Sequence, residues 1–316
     1  MTAFAVFNPA SDGGRTGRHW RRIEDALGAI FPAIEAVPTH GPGEAAHLVR
    51  DALRDGHLDV IAVGGDGVIN EALNGFFDRG AAVSPEAVFS FVNTGGDVAR
   101  GLGIEPGAVG AIAHLRRSHI RKVDVGRVSC LSREGVPVTR YFLDEASFGL
   151  SASIARSLGQ GRIARLLGRG FARRLGTFSQ LLAWHECRVR LMAPDVHGEQ
   201  AGGFDEIAGI ASVVVANGRH FGGGLNVAPE ASVQDGLFDV AVMAGGSRRR
   251  ILADLASIRR GTHLDNPAHR MLRTARLTAA PTLDTDGPVA VETDGEAAGV
   301  LPATFEILPG AVNIRL

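Results

Sequence analysis

The chain has 316 residues, a formal net charge of −1, 45% hydrophobic and 21% charged residues, a balance that excludes a disordered or collagen-like chain. Near-neutral charge argues against general nucleic-acid binding, and no apolar run reaches the roughly 18 residues that a spanning helix needs. Lys122 is the only lysine among 33 basic residues, and no Gly-rich loop accompanies it, which excludes the P-loop and protein-kinase arrangements.

Two cysteines, Cys130 and Cys187, form neither a CxxC nor a zinc pattern, as expected in a reducing compartment. The N-terminus lacks the basic start and apolar core of a signal peptide, so a cytoplasmic protein is expected. The length predicts two domains.

In chain order, residues 4–7 predict a first strand ending at Asn8-Pro9, followed by helix-compatible sequence over 18–27. Residues 34–37 predict a second strand. Residues 44–53 predict a helix, with Ala45, Leu48, Val49 and Ala52 at helical spacing. A third strand is predicted over 58–63, a helix over 69–77 and a fourth strand over 88–92. Strict alternation of strand and helix predicts an α/β domain with a doubly wound parallel sheet over residues 1–123. Ligands of such sheets bind at the carboxyl ends of the strands. Residues 124–316 predict a β-rich domain. Its strands are expected at 123–128, 140–147, 189–192, 207–216, 237–243, 275–279, 289–293 and 304–308, with helices near 153–184 and 248–259. The last strand is free to return to the first domain.

Several short segments carry chemistry. Gly64-Gly65-Asp66-Gly67 ends the third strand and opens a helix that continues through Val68, Ile69, Asn70 and Glu71. Glycines allow close backbone approach, and helix-start N–H groups attract anions, so this loop is expected to bind phosphate, with an ordinary turn as the alternative. Asn93-Thr94-Gly95-Gly96-Asp97 follows the fourth strand. Asp66 and Asp97 would share a site for a metal-bound water, since magnesium favours carboxylates, waters and phosphates; the alternative makes Asp97 an N-cap. Thr293-Asp294-Gly295-Glu296 reads, by itself, as a hairpin turn. The loop Ala231 to Leu237, with Asp235 among backbone carbonyls, suits either a hard cation or a turn.

Two features lie in a stretch without acidic residues, 146–185. Gly159 to Ala164 matches a GxGxxA dinucleotide pattern, but it follows no strand and fails that motif's context. Arg162, Arg165, Arg169 and Arg173 lie on one helical face opposite Ile163, Leu166 and Leu167. A basic amphipathic helix suits peripheral contact with an anionic membrane; the alternative is a solvated surface helix weakened by its glycines.

Taken in order, these pieces resemble the bacterial diacylglycerol kinase family of lipid kinases, to which sphingosine and ceramide kinases are related. The resemblance rests on Phe7-Asn8-Pro9, on Thr39 ahead of Gly43-Glu44-Ala45, on Gly64 to Phe76 and on Thr94 to Ile104. It continues through Ala146 to Leu150, Ala231 to Val240, Asp294 to Glu296 and Glu306 to Val312. It implies a nucleotide-binding α/β domain, a sandwich-like second domain and an active site in the cleft between them. It implies ATP as donor, magnesium as cofactor and the hydroxyl of a lipid such as diacylglycerol as acceptor, at the inner membrane face. Asn8, Thr39, Gly64, Gly65, Asp66, Gly67, Val68, Ile69, Asn70 and Thr94 would lie at the nucleotide. A structural magnesium would take the Asp235 carboxylate with the carbonyls of Ser232 and Leu237. Asp294 would be the general base with Glu296 in support, and Asp66 and Asp97 would act beside the metal. A homodimer is compatible with the sequence.

Two departures touch the nucleotide site: Val68 stands where the family has threonine, and Asn93 and Gly96 replace a glycine and an asparagine in the second loop. They keep open a non-catalytic lipid- or nucleotide-binding homologue. A soluble-metabolite kinase of the NAD kinase type is the other alternative.

Overall fold

Four apolar segments lie side by side at the start of the computed structural model, which describes residues 2–93, 97–104, 108–117, 119–150, 152, 186–198, 202–221, 225–260 and 262–316. They are β1 (Ala3–Phe7), β2 (Ile34–Pro38), β3 (Asp59–Gly64) and β6 (Val88–Asn93), paired in parallel in the order β2-β1-β3-β6. A hairpin of β4 (Phe77–Asp78) and β5 (Ala81–Ala82) precedes β6. The intervening helices are α1 (Ser11–Gly28), α2 (Glu44–Arg54) and α3 (Asp66–Gly75), followed by α4 (Asp97–Gly101) and α5 (Ala108–Leu115).

Helix α2 forms as its spacing predicts: Ala45, Val49, Ala52 and Leu53 are buried on one face. Each large apolar side chain so buried contributes about 1.5–3 kcal/mol. Helix α1 begins seven residues earlier than its periodicity predicts. Asp12, Gly13 and Gly14 there have positive φ, at 52°, 63° and 82°, a bent start to which apolar spacing is blind.

The remainder is antiparallel except where the end of β18 meets β6. Its strands are β7 (Ile120–Leu131), β8 (Pro137–Phe142), β9 (Glu145–Gly149), β10 (Cys187–His197), β11 (Gly202–Ala216), β12 (His220–Phe221), β13 (Leu225–Asn226), β14 (Phe238–Ala244), β15 (Arg270–Thr274), β16 (Arg276–Pro281), β17 (Ala290–Thr293) and β18 (Glu296–Arg315). Helix α6 (Arg248–Arg260) lies between β14 and β15. Six strands close a ring, β10-β11-β9-β17-β18-β16 and back to β10. Phe148 and Phe305 stack inside it, centroids 5.7 Å apart, within a core that includes Leu191, Val213, Val215 and Leu277.

The predicted strand over 140–147 is two strands, β8 and β9, with a break at Leu143–Asp144. The predicted strand over 304–308 is the middle of a 20-residue strand. β18 pairs with β17, β16 and β7 in turn, and its Asn313 and Ile314 lie parallel to Val88 and Phe89 of β6. The two parts of the chain thus share one continuous sheet.

Candidate active site

The carboxyl ends of the parallel strands bring the sequence-predicted phosphate residues to one edge. Asn8 follows β1; its backbone N–H donates to the Val63 carbonyl at 3.1 Å, and its Oδ1 accepts from the Ala10 N–H at 2.9 Å. Thr39 follows β2, is buried, and donates its backbone N–H to the Phe7 carbonyl at 2.8 Å. Gly64 ends β3 opposite Asn93 of β6. A β-carbon on Gly64 would lie 2.5 Å from Val68 Cγ1 and 2.8 Å from Ser11 Oγ, so the loops after β1 and β3 meet only because position 64 lacks a side chain. Thr94 lies outside the described residues, and Asp97 begins α4. Gly65 is the N-cap of α3, and Asp66 occupies its first turn.

Val68 and Ile69 are buried, and Val68 points at the Ser11–Gly64 contact. A threonine there would add one hydroxyl beside the strand ends. Val68→Thr is expected to tighten ATP binding by about 0.5–1.5 kcal/mol, the net value of one hydrogen bond. Titration calorimetry on both forms checks this; equal or weaker binding means that the pocket is fitted to valine.

Across from α3 sits the turn between β17 and β18. Asp294 is buried there, with φ 47°, an uncommon backbone for a non-glycine residue and of a kind that collects at functional sites. Four donors hold its carboxylate. Oδ1 accepts from the N–H groups of Asp144 (2.9 Å) and Glu145 (3.1 Å); Oδ2 accepts from the Leu143 N–H (3.0 Å) and from Asn70 Nδ2 (2.8 Å). The break between β8 and β9 turns three successive N–H groups toward one carboxylate, which explains why the predicted single strand divides. Burial raises the Asp294 pKa, and these donors oppose the rise by favouring the anion.

Asn70 is therefore engaged inward. Besides Asp294, its Nδ2 donates to the Tyr141 carbonyl at 3.0 Å. One turn on, Asn74 donates to the same carbonyl at 3.0 Å and accepts the Tyr141 N–H at 3.0 Å. The two asparagines, four apart on one face of α3, fix that helix to the second part of the chain. Asn74 escaped the sequence reading; its only signal is the i+4 spacing from Asn70.

The side chain of Glu296, two residues beyond Asp294, makes no hydrogen bond among the described residues, while its backbone pairs with Thr293. A β-carbon on Gly67 would stand 2.7 Å from Glu296 Oε1, so the last glycine of the loop after β3 makes room for this carboxylate. Although Glu296 is exposed to solvent, desolvation by its surroundings raises its pKa, and the charges of Glu71, Asp66 and Asp294 raise it further. Carboxylates of both loops converge here. Among the described residues no three such groups form a closed metal cluster, but magnesium characteristically takes one or two carboxylates and completes its shell with phosphate and water. Asp66 and Glu296 fit that requirement.

The Asp235 loop does not fit its implied cation. Asp235 Oδ1 accepts the Leu237 N–H at 3.1 Å, and Oδ2 accepts from the Arg273 guanidinium. Asp124, which the sequence reading missed because it sits inside an apolar strand run, pins the loop further. Its Oδ2 accepts from Gly236 N–H and its Oδ1 from Gly310 N–H, both at 2.7 Å. Its own N–H donates to the Val233 carbonyl at 2.8 Å.

Behind Asp294, Glu292 accepts from Ser147 Oγ at 2.5 Å and lies against Glu145, both glutamates being buried. Burial, first among the causes, pushes the Glu292 carboxyl up to about 7; that of Glu145 is raised too, by burial and then by Glu292. The folded protein therefore binds protons that the unfolded chain releases near pH 4.5, and stability should fall as pH rises from there through about 7. The urea midpoint is expected to drop between roughly pH 5 and pH 8, with Glu292→Gln flattening the slope. An unchanged slope in that variant would show that Glu292 is ionised in the fold and that the slope arises from another group.

Family models match both parts of the chain. Residues 2–128 match the diacylglycerol kinase catalytic domain, and residues 145–316 match the YegS C-terminal NAD kinase beta sandwich-like domain. The chain belongs to the bacterial diacylglycerol kinase family of lipid kinases. A protein of Pseudomonas syringae pv. syringae named "Probable lipid kinase YegS-like" is 26% identical over 87% of this chain and 81% of its own. One of the same name from Chromohalobacter salexigens is 30% identical over 70% and 66%. In fold, the chain is similar to a diacylglycerol kinase from Bacillus anthracis str. Sterne. The TM-score is 0.70 and the identity 21%, covering 99% of this chain and 96% of that one. As a kinase family it implies ATP as the phosphate donor. The arginine series 162–173 and the GxGxxA pattern lie outside the described residues. No helix among the described residues is long and apolar enough to cross a membrane.

Proposed function

We propose that the protein transfers the γ-phosphoryl group of ATP to the hydroxyl of a membrane lipid, diacylglycerol being the family's example, in the space between the phosphate-loop helix and the Asp-Gly-Glu turn. One observation carries the reading: Asn70 of α3 donates to Asp294 Oδ2 at 2.8 Å across 224 residues of sequence. That bond sets the acidic turn against the start of the helix where phosphate would bind.

The N–H groups at the start of α3 and the strand ends at Asn8, Thr39 and Gly64 orient the triphosphate. Asp66 and Glu296 would hold magnesium, which supplies positive charge to the phosphate oxygens. Asp294 takes the proton from the acceptor hydroxyl as the new phosphorus–oxygen bond forms; its four donors fix its position before the acceptor arrives. A second assignment is favoured by the same geometry. A carboxylate has about four lone-pair sites, and those of Asp294 are filled, whereas Glu296 is unpartnered among the described residues and stands closer to the phosphate loop. On that assignment Glu296 is the base and Asp294 holds the turn. The arginine series at 162–173 would dock the enzyme on anionic lipid at the cytoplasmic face.

The test is radiolabelled ATP with a panel of lipid alcohols in mixed micelles, beside water-soluble acceptors. Label in a lipid supports the reading. Label only in a soluble acceptor points to a metabolite kinase, and none in any acceptor, with ATP bound, to a non-catalytic homologue.

A further inference from the structure

We propose that Arg273 is the fixed cation of the Asp235 loop in this protein, standing where the family resemblance places a magnesium ion. The assignment is independent of the phosphoryl acceptor. It starts from strand register. Asp239 of β14 pairs with Arg273 of β15, and directly paired residues on antiparallel strands bring their side chains together. Arg273 Nε lies 3.6 Å from Asp239 Oδ1. The same guanidinium reaches forward to Asp235 Oδ2 in the loop that leads into β14. One arginine therefore bridges a carboxylate in the loop and a buried one in the sheet.

The site needs a positive charge. The Asp239 side chain is only 4% exposed, and its Oδ2 has no hydrogen-bond partner among the described residues. Glu230 adds a further negative charge nearby. A buried carboxylate without a cation is costly. Arg273 answers both carboxylates, and a guanidinium is charged at every accessible pH. A divalent ion at Asp235 would have to displace it from Oδ2 and then remain beside it, with like charges a few ångströms apart. The mechanical work that such an ion would do is also done already. Asp124 ties the loop tip to Gly310, and Gln234 Nε2 donates to the Lys122 carbonyl at 2.9 Å.

Thermal unfolding of the full chain without nucleotide decides the matter, in EDTA and in millimolar magnesium or calcium. Wild type should melt within about 1 °C in all three buffers. Arg273→Gln should melt about 4–8 °C lower in EDTA, since it leaves two carboxylates uncompensated, and should recover at least half of that with either metal. Arg273→Lys, which keeps the charge, should show no metal response. A wild-type rise with metal that disappears in Asp235→Asn would overturn the proposal, because the loop would then hold an ion beside Arg273. A rise that persists in Asp235→Asn belongs to another site and supports it. Arg273→Gln as stable as wild type in EDTA and indifferent to metal would also overturn it. Should Arg273→Gln not fold, the wild-type and Asp235→Asn titrations still give one of these answers.

Discussion

Asp294→Asn should lower turnover on the lipid acceptor at least about a hundredfold, the usual contribution of a general base, with ATP affinity changed by no more than a few-fold. The asparagine side chain has the same shape but one acceptor oxygen. In either orientation its NH2 group faces two of the four donors that now hold the carboxylate. Unmade hydrogen bonds to a charged group are each worth about 1.5–3 kcal/mol, so a fall in melting temperature should accompany the kinetic loss. Glu296→Gln separates the two assignments of the base. With Asp294 as base, Glu296→Gln weakens the response to magnesium and keeps most of the turnover at saturating metal. With Glu296 as base, Glu296→Gln suffers the larger loss in turnover, and Asp294→Asn is chiefly a stability variant. Asp294→Asn within a few-fold of wild type on the true acceptor would remove Asp294 from proton transfer.

Asp66→Asn should abolish measurable transfer, a loss of more than about a hundredfold, with the fold intact. Asp66 stands in the first turn of α3, at the edge where Asn8, Thr39 and Gly64 converge. It is close enough to Glu296 to raise that carboxyl's pKa. The amide keeps the shape and removes the charge that would meet magnesium. Losing the carboxylate's interaction with the helix N-terminus costs about 0.3–1 kcal/mol, and the shape-conserving amide should keep the fold, so a folded but dead enzyme is the expected result. Near-normal turnover with unchanged metal dependence would place the metal elsewhere.

Much of the nucleotide edge was legible because its signals are local. An apolar run that stops at Gly64-Gly65 declares both a buried strand and its end, and strict alternation of strands and helices declares a parallel sheet. The acidic side of the site was less legible. Thr293 to Glu296 has the composition of any hairpin turn, and the bond that gives it meaning joins residues 224 apart. The break at Leu143–Asp144 is marked by no glycine or proline, only by the change from Tyr141-Phe142-Leu143 to Asp144-Glu145; what changes there is the direction of three N–H groups. Asp124 was hidden within a strand, since nothing local marks a carboxylate whose partners are Gly236 and Gly310. The length of β18 was masked by Pro302, Pro309 and Gly310, which read as strand ends and here lie within it.

That strand sets a condition on biosynthesis. β6 has β3 on one side and Asn313 and Ile314 of β18 on the other, so until β18 has been made it presents an open parallel edge. Unpaired edges invite pairing with other chains. The nascent parallel part therefore exposes a template for misassembly while residues 94–312 are being made. A chain ended before Asn313 keeps Asp66, Asp294 and Glu296, yet loses the Asn313 and Ile314 pairing that seals β6. Its fate should be decided by solubility during expression before chemistry is ever reached.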